Sequence, residues 1–176
     1  MRLLFVLAVA LPGFALAAGG ESSGAPKPTN TTKTCKGVKV WEKAKGRCVN
    51  PRNSSLSPDA LIGAVRELAY AGRFLDAQGV LKAMPDQRDD LVLTYWGFTH
   101  RKLGHPKLAN TFYARAISQN PDNHLARSYM GQGLVESGQM AQALAQWKEI
   151  RKRGGTDTWA EVSLRTALES GQTYSY

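Results

Sequence analysis

The chain has 176 residues, of which 43% are hydrophobic, and carries a formal net charge of +9. This length is enough for one domain with accessory segments. Its three histidines and two cysteines are not grouped at the spacing of metal ligands, and it contains neither a glycine-rich phosphate loop nor a G-x-S-x-G motif, so we predict no metal, no cofactor and no enzyme.

The N-terminal segment, positions 1–18, is typical of a secretory signal peptide. A basic start, Met1-Arg2, is followed by an apolar run that ends in Ala15-Leu16-Ala17, a small-residue cleavage pattern. The run is too short and interrupted to be a good membrane span. We therefore expect residues 1–18 to be removed and the protein to be exported to the periplasm or the medium. No cysteine lies directly after the predicted cleavage site, so a lipoprotein anchor is not expected.

Two polar segments flank the region that contains the cysteines. Residues 19–34 are rich in Gly, Ser, Pro, Thr and Asn, with almost no apolar side chain, and this composition predicts a flexible linker. Residues 50–57 are predicted to be a second linker. If the region between them is separated in this way, a change within it should leave the rest of the protein almost unaffected.

Residues 35–49 are predicted to form a small β-hairpin. The alternation from Cys35 to Trp41 indicates a first strand, Lys45-Gly46 a turn, and Arg47 to Val49 a returning strand. A two-stranded hairpin alone is only marginally stable in water. In an exported protein an even pair of cysteines indicates a disulfide, so we expect Cys35 and Cys48 to be bonded.

The basic character of the protein is concentrated around this hairpin. Eight Lys and Arg residues between positions 27 and 52 face a single acidic residue, Glu42, whereas from Ser54 onward 14 basic residues face 12 acidic ones. The hairpin is therefore either a spacer with solvated lysines or a cationic contact for an anionic surface. A near-neutral remainder does not favour nucleic-acid binding.

From Pro58 onward, apolar residues recur at helical spacing. Ser57 and Pro58 form a typical helix start, with Ser57 as the N-cap. Breaks at Gly72, Gly104 and Gly138 divide the pattern into pairs of helices. A last helix is predicted to be capped by Asp157 and to end at Gly171.

The second pair carries a recognisable motif. It reads Leu93-x-x-Trp96-Gly97-x-x-His100, followed by Ala109, Tyr113, Ala116 and Pro121. This stretch resembles the tetratricopeptide repeat (TPR), a helix–turn–helix unit, although His100 stands where the repeat usually has tyrosine. The interval from Gly104 to Gly138 is the same as that from Ala109 to Ala143, and both equal the length of one repeat.

The resemblance implies an all-α fold, a short TPR-like helical solenoid that follows the hairpin. Its units would be 58–89, 90–123 and 124–157, with a capping helix at 157–170, and the first unit is the weakest match. The small residues at which the helices of a unit approach closely would be Gly97, Ala109, Ala116, Gly131 and Ala143.

In TPR proteins the first helices line a concave groove that binds peptides. The resemblance places fifteen residues there: Asp59, Ile62, Arg66, Ala69, Tyr70, Leu91, Thr94, Phe98, Arg101, Lys102, Leu125, Ser128, Gln132, Val135 and Glu136. We select Arg66, Tyr70, Phe98, Arg101, Lys102 and Gln132 as the partner-binding residues. Phe98 and Arg101 are expected to lie outside the core, so that changing both leaves folding intact. The alternative is that these are ordinary solvated helix faces.

The predicted function is protein–protein interaction, as an adaptor or assembly factor of the periplasm or cell envelope that holds a protein or peptide partner. The alternative is a structural or tethering protein whose cationic hairpin binds an anionic envelope polymer or lipid. Salt distinguishes the two, because exposed charges are screened at high ionic strength whereas apolar contacts persist. The sequence does not indicate an oligomeric state.

Overall fold

The computed structural model describes residues 27–173, so the predicted signal peptide and the first part of the predicted linker lie outside the described residues. The described elements are α1 Asn30–Lys33, β1 Val40–Glu42, β2 Arg47–Val49, α2 Pro58–Tyr70, α3 Phe74–Leu81, α4 Asp90–Lys102, α5 Pro106–Gln119, α6 His124–Glu136, α7 Met140–Lys152 and α8 Trp159–Ser170. Short 3₁₀ turns occupy Lys43–Lys45 and Pro51–Asn53. The prediction of a mainly helical fold with a small hairpin is confirmed.

Polar caps set the starts of several helices. The side chains of Ser57, Asp89, Asn123 and Thr158 each accept a hydrogen bond from a backbone N–H in the first turn of the helix that follows. These N–H groups have no partner within the helix, so a capping oxygen stabilises the start by about 1 kcal/mol. The prediction for Ser57 is confirmed. The prediction for Asp157 is wrong, because Thr158 is the cap and Asp157 lies in the preceding turn at φ 62°.

Helices α2 to α7 pack as three consecutive pairs. The turns within the pairs contain Gly72, Gly104 and Gly138, at φ values of 74°, 83° and 73°, which favour glycine. Helix α4 also contacts α2 and α6, and α6 contacts α8. The first helices of successive pairs therefore lie against one another.

Two glycines mark points where helices approach closely. A Cβ atom on Gly97 would lie 2.5 Å from Cε1 of Tyr113 in α5, as expected for the two helices of one pair. A Cβ atom on Gly131 would lie 2.6 Å from Cδ2 of Leu164 in α8. The close approach at Gly131 is thus to the last helix and not, as predicted, to the partner helix of its own unit. The alanines predicted at packing positions, Ala109, Ala116 and Ala143, are fully buried.

The hairpin is confirmed, but its first strand is Val40–Glu42 and not the predicted Cys35 to Trp41, because a turn at Gly37 and Val38 precedes it. β1 and β2 are antiparallel, with Trp41 opposite Cys48 and Gly46 in the left-handed region at the turn. Cys35 and Cys48 form a disulfide, as expected.

The hairpin is not separated from the helices, however. Val40 is buried in the same hydrophobic cluster as residues of α2 and α4. Val38 lies so close to Gly79 of α3 that any Cβ there would overlap it. The guanidinium group of Arg73 donates hydrogen bonds to the carbonyl oxygens of Cys35, at 3.0 Å, and Gly37, at 2.8 Å. These contacts fix the hairpin on the first helix pair.

The described parts of both predicted linkers are also ordered against the helices. Glu67 of α2, which is buried, accepts hydrogen bonds from the backbone N–H and the hydroxyl of Thr29, both at 2.7 Å, and from the hydroxyl of Thr32 at 2.5 Å. Burial alone raises the pKa of Glu67, but the hydrogen bonds from Thr32 and Thr29 outweigh it and hold the pKa below its ordinary value. In the second segment Pro51 is buried and Leu56 packs on the core. Composition alone therefore misled the linker predictions.

Because the hairpin is docked, loss of the disulfide should affect the helices as well. The chain-entropy model gives about 3 kcal/mol for a loop of this size. We expect a Cys35→Ser, Cys48→Ser variant to unfold at a lower temperature than the unchanged protein. Its amide hydrogens should exchange faster than those of the unchanged protein, and the increase should be larger in α2 and α3 than in α7. Hydrogen exchange read by mass spectrometry tests this. Unchanged exchange in α2 and α3 would show that the hairpin and the helices are independent.

Candidate functional site

The inner face predicted to form the groove contains a cluster of aromatic side chains. We call Tyr70, Tyr95, Phe98 and Tyr129 the inner aromatic cluster. The ring centroids of Phe98 and Tyr129 lie 4.7 Å apart, and those of Tyr70 and Phe98 lie 5.9 Å apart. All four are buried. Aromatic pairs at these separations stabilise a fold beyond the area they bury.

Hydrogen bonds connect the two ends of this face. The hydroxyl groups of Tyr70 in α2 and Tyr129 in α6 lie 2.6 Å apart. The indole N–H of Trp159, at the start of α8, donates to the hydroxyl of Tyr70 at 3.3 Å. These contacts bring the first and last long helices together across the inner face. The predicted groove is therefore filled at this point.

Four of the six predicted partner-binding residues are buried. Phe98 is 0% exposed, Gln132 1%, Tyr70 5% and Arg101 6%, so the expectation that Phe98 and Arg101 lie outside the core is wrong. Arg66 and Lys102 are half-buried. The physical reason is that Tyr70 and Arg101 pack against the ring of Phe98, whereas Gln132 is buried between α6 and α8 by hydrogen bonds.

Gln132 and Arg101 make structural contacts between helices. Gln132 donates a hydrogen bond to Oγ of Ser128 at 3.2 Å within α6 and another to Oγ of Ser163 in α8 at 3.4 Å. The Nη1 group of Arg101 in α4 donates to Oε1 of Glu136 in α6 at 2.7 Å. A Cβ on Gly133 would lie 3.0 Å from Cδ of Arg101, so the glycine leaves room for this side chain.

Tyr113 lies near the same ion pair, and burial raises its pKa to about 12. The phenol is therefore neutral at physiological pH.

Some of the other inner-face positions remain accessible. Asp59, Leu91 and Glu136 are exposed, and Ile62 and Leu125 are half-buried. The remaining members of the predicted set, Ala69, Thr94, Ser128 and Val135, are buried. Three of these accessible side chains are apolar: Leu91 and Leu125 lie in the first turn of α4 and α6, and Ile62 lies in α2.

His100, expected to have a packing role, lies in an aromatic stack outside the inner aromatic cluster. Its ring stacks on Phe112, with centroids 5.5 Å apart, and on Trp96, with centroids 5.7 Å apart. Burial lowers the pKa of His100, and the charge of His105 lowers it further. The stack therefore favours the neutral imidazole.

This shift predicts a pH-dependent stability. The unfolded chain binds the proton of His100 near its ordinary pKa of 6.5, whereas the folded chain binds it only at lower pH. The contribution of neutral His100 to the free energy of unfolding is therefore fully present above about pH 6.5. It is lost as the pH falls through that value towards the pKa of His100 in the folded protein. Between about pH 8 and pH 5 we expect the melting temperature of His100→Phe to fall less than that of the unchanged protein. Phenylalanine keeps the aromatic stack and does not titrate. An equal fall in both proteins would contradict the prediction.

A second candidate site is a cleft of about 720 Å³ between the hairpin and α2, which we call the hairpin cleft. One wall carries Trp41 and Lys43 of the hairpin, and the floor carries Ala60, Gly63 and Ala64 of α2. Its volume is within the usual range of ligand pockets. The sequence did not predict this cleft, because the polar segments on both sides of the hairpin indicated that it is separated from α2.

The surface around the hairpin is strongly cationic. Its exposed basic residues are Lys33, Lys36, Lys39, Lys43, Lys45, Arg47 and Arg52. Glu42, the acidic residue among them, is buried and pairs with Lys45 at 3.0 Å. Because the hairpin is docked, these charges lie on a fixed surface.

Among residues 27–173, no group of three or more His, Cys, Asp or Glu side chains is placed to hold a metal ion. Over the same range, no helix combines the length and the apolar character needed to cross a bilayer. No family model, curated protein or solved structure matches the chain.

Proposed function

We propose that this protein is an exported protein-binding scaffold, built from TPR-like units, that acts as an adaptor or assembly factor in the periplasm or cell envelope. The observation that supports it is the regular spacing of the helices. The first helices α4 and α6 begin at Asp90 and His124, and their partners α5 and α7 begin at Pro106 and Met140. Both intervals equal the length of a tetratricopeptide repeat.

The arrangement of the helices adds support. Contacts from α2 to α4, α4 to α6 and α6 to α8 stack the first helices side by side, the pattern of a helical solenoid. Since the inner aromatic cluster fills the middle of the inner face, we assign partner contact to its accessible end, at Leu91 and Leu125. Apolar anchors of this type tolerate salt, because screening acts on charges.

Site-specific photo-crosslinking tests this proposal. A photo-reactive amino acid at position 91 should capture one defined partner in the intact cell envelope, and capture should survive high salt. The matched control is position 144, since Leu144 of α7 is about equally exposed (39% against 37% for Leu91) but lies on a second helix. No capture at position 91, or the same products at both positions, would reject the scaffold function at this surface.

A tethering function is the second candidate, and the docked cationic surface favours it. Seven exposed lysines and arginines on a fixed surface attract an anionic polymer or lipid headgroups. Binding of this kind should be lost between low and high salt. Co-sedimentation with vesicles containing anionic lipid, compared with neutral vesicles at two salt concentrations, distinguishes tethering from partner capture at Leu91.

Export is part of the same proposal. The Cys35–Cys48 disulfide is compatible with an oxidising compartment. Fractionation of cells, followed by mass measurement of the N-terminus, should find a mature chain that lacks residues 1–18 outside the cytoplasm. A chain that retains Met1 in the cytoplasm would reject export.

A further inference from the structure

We propose that the hairpin cleft binds an extended, acidic peptide segment of a partner protein. This inference rests on the proposed function as a protein-binding scaffold and adds a second contact site to it, distinct from the accessible end of the inner face. It is carried by three properties of the hairpin cleft, namely its shape, its hydrogen-bonding groups and its charge.

The shape suits an extended chain. The hairpin cleft runs along α2 from Ser57 to Glu67, which is about 15 Å at the rise of an α-helix. An extended peptide of about four or five residues covers that length. A Cβ on Gly63 would meet no atom within 4 Å, so the floor is open to a ligand at this point.

The walls offer both polar and apolar contacts. The hydroxyl-bearing residues Thr31, Ser55 and Ser57 line the cleft, and Trp41 of the hairpin is half-buried in its wall. Each hydroxyl already makes one bond within the protein: Thr31 and Ser57 accept from the N–H groups of Trp41 and Ala60, and Ser55 donates to Glu42. A hydroxyl group can both donate and accept, so Ser57 keeps its O–H donor and Ser55 its acceptor capacity for a peptide backbone. A tryptophan ring in contact with an apolar side chain of the ligand is a frequent source of binding energy at protein interfaces.

The charge favours an acidic ligand. Three cationic residues line the hairpin cleft, Lys27, Lys43 and Arg66, against two carboxylates, Glu42 and Glu67. Both carboxylates are buried and already bonded within the protein, Glu42 to Ser55 at 2.6 Å and to Lys45, and Glu67 to Thr29 and Thr32.

The exposed Lys43 and Lys27 therefore determine which ligand approaches, and the cationic surface of the hairpin adds to the attraction.

The test measures binding of a defined probe to the mature full chain. The probe is a fluorescein-labelled peptide, Gly-Glu-Leu-Asp-Leu-Glu-Gly, and its uncharged counterpart is Gly-Gln-Leu-Asn-Leu-Gln-Gly. Fluorescence anisotropy should show binding of the acidic peptide, and about tenfold weaker binding of the counterpart. An equal affinity for the two peptides would overturn the proposal, as would no binding of the acidic peptide.

Two variants locate the binding. Gly63→Leu should place a side chain in the space that the peptide would occupy and so abolish its binding. The melting temperature should be maintained, because a Cβ at this position meets no protein atom within 4 Å. Lys43→Glu should weaken binding about tenfold. The matched control is Lys39→Glu, which makes the same change of charge on an exposed lysine outside the cleft lining.

Each result has a distinct meaning. If Lys39→Glu weakens binding as much as Lys43→Glu and Gly63→Leu binds normally, the peptide is held by the cationic surface as a whole and the cleft proposal fails. The proposed function is tested separately, by capture at position 91. Capture in the Gly63→Leu background would leave the scaffold function standing whatever the cleft binds.

Discussion

Replacing Phe98 by alanine is expected to lower the free energy of unfolding by about 3–5 kcal/mol. The ring is 0% exposed and contacts Tyr70, Tyr95 and Tyr129 from three helices, as well as Phe74 of α3. Removing it leaves a cavity where four packed helices meet, and the cavity adds its own cost to the lost burial. The inner aromatic cluster should loosen as a whole, since each of its other rings loses a neighbour.

Denaturant unfolding followed by circular dichroism measures this loss. The matched control is Leu144→Ala, which removes an exposed apolar side chain of α7 and should change stability by less than about 0.5 kcal/mol. If Phe98→Ala were as stable as the control, Phe98 would lie outside the core and would again be a candidate for partner binding.

The order of elements could be predicted because it depends on local chemistry. Helical periodicity located α2 to α8, and glycines at Gly72, Gly104 and Gly138 marked turns in which the backbone has positive φ. The cysteine pair and the turn at Gly46 located the hairpin for the same reason. Each of these features is set by residues close together in the sequence.

The exposure of the inner face could not be predicted in this way. Aromatic and long side chains on one helix face occur both where a ligand is bound and where helices pack. Only the path of the chain decides between the two. Here the contacts of Tyr70 with Tyr129 and Trp159, residues far away in the sequence, show that this face is packed. The sequence pattern contains no information about contacts at that separation.

The candidate cleft was missed for a related reason. A segment of threonine, asparagine and lysine has almost no apolar surface to bury, and composition therefore predicted a linker. In the structure a single buried carboxylate, Glu67, holds Thr29 and Thr32 through hydrogen bonds that join distant parts of the sequence. Val38 and Val40 then attach the hairpin to the helices. One buried acceptor and two apolar side chains, together with the hydrogen bonds of Arg73 to the hairpin backbone, therefore hold the hairpin against the helices and form the hairpin cleft.

A series of glycine-to-leucine changes should separate the close helix contacts from the open floor of the hairpin cleft. Gly97→Leu is expected to destabilise most, because the new Cβ meets the rigid ring of Tyr113 at 2.5 Å and Tyr113 is fully buried. Gly131→Leu should follow, because it meets Leu164, whose methyl groups are more adaptable although also buried. Overpacking of this kind typically costs about 1–3 kcal/mol and occasionally more.

Gly63→Leu is the internal control, since its Cβ meets nothing within 4 Å and leucine forms helices more readily than glycine. Its melting temperature should equal or exceed that of the unchanged protein. Thermal unfolding of the three variants is therefore expected to give the order Gly97→Leu, Gly131→Leu, Gly63→Leu from least to most stable. A Gly131→Leu protein as stable as Gly63→Leu would mean that α8 does not pack against α6 at this position. The side-by-side stacking proposed for the first helices would then end at the third pair.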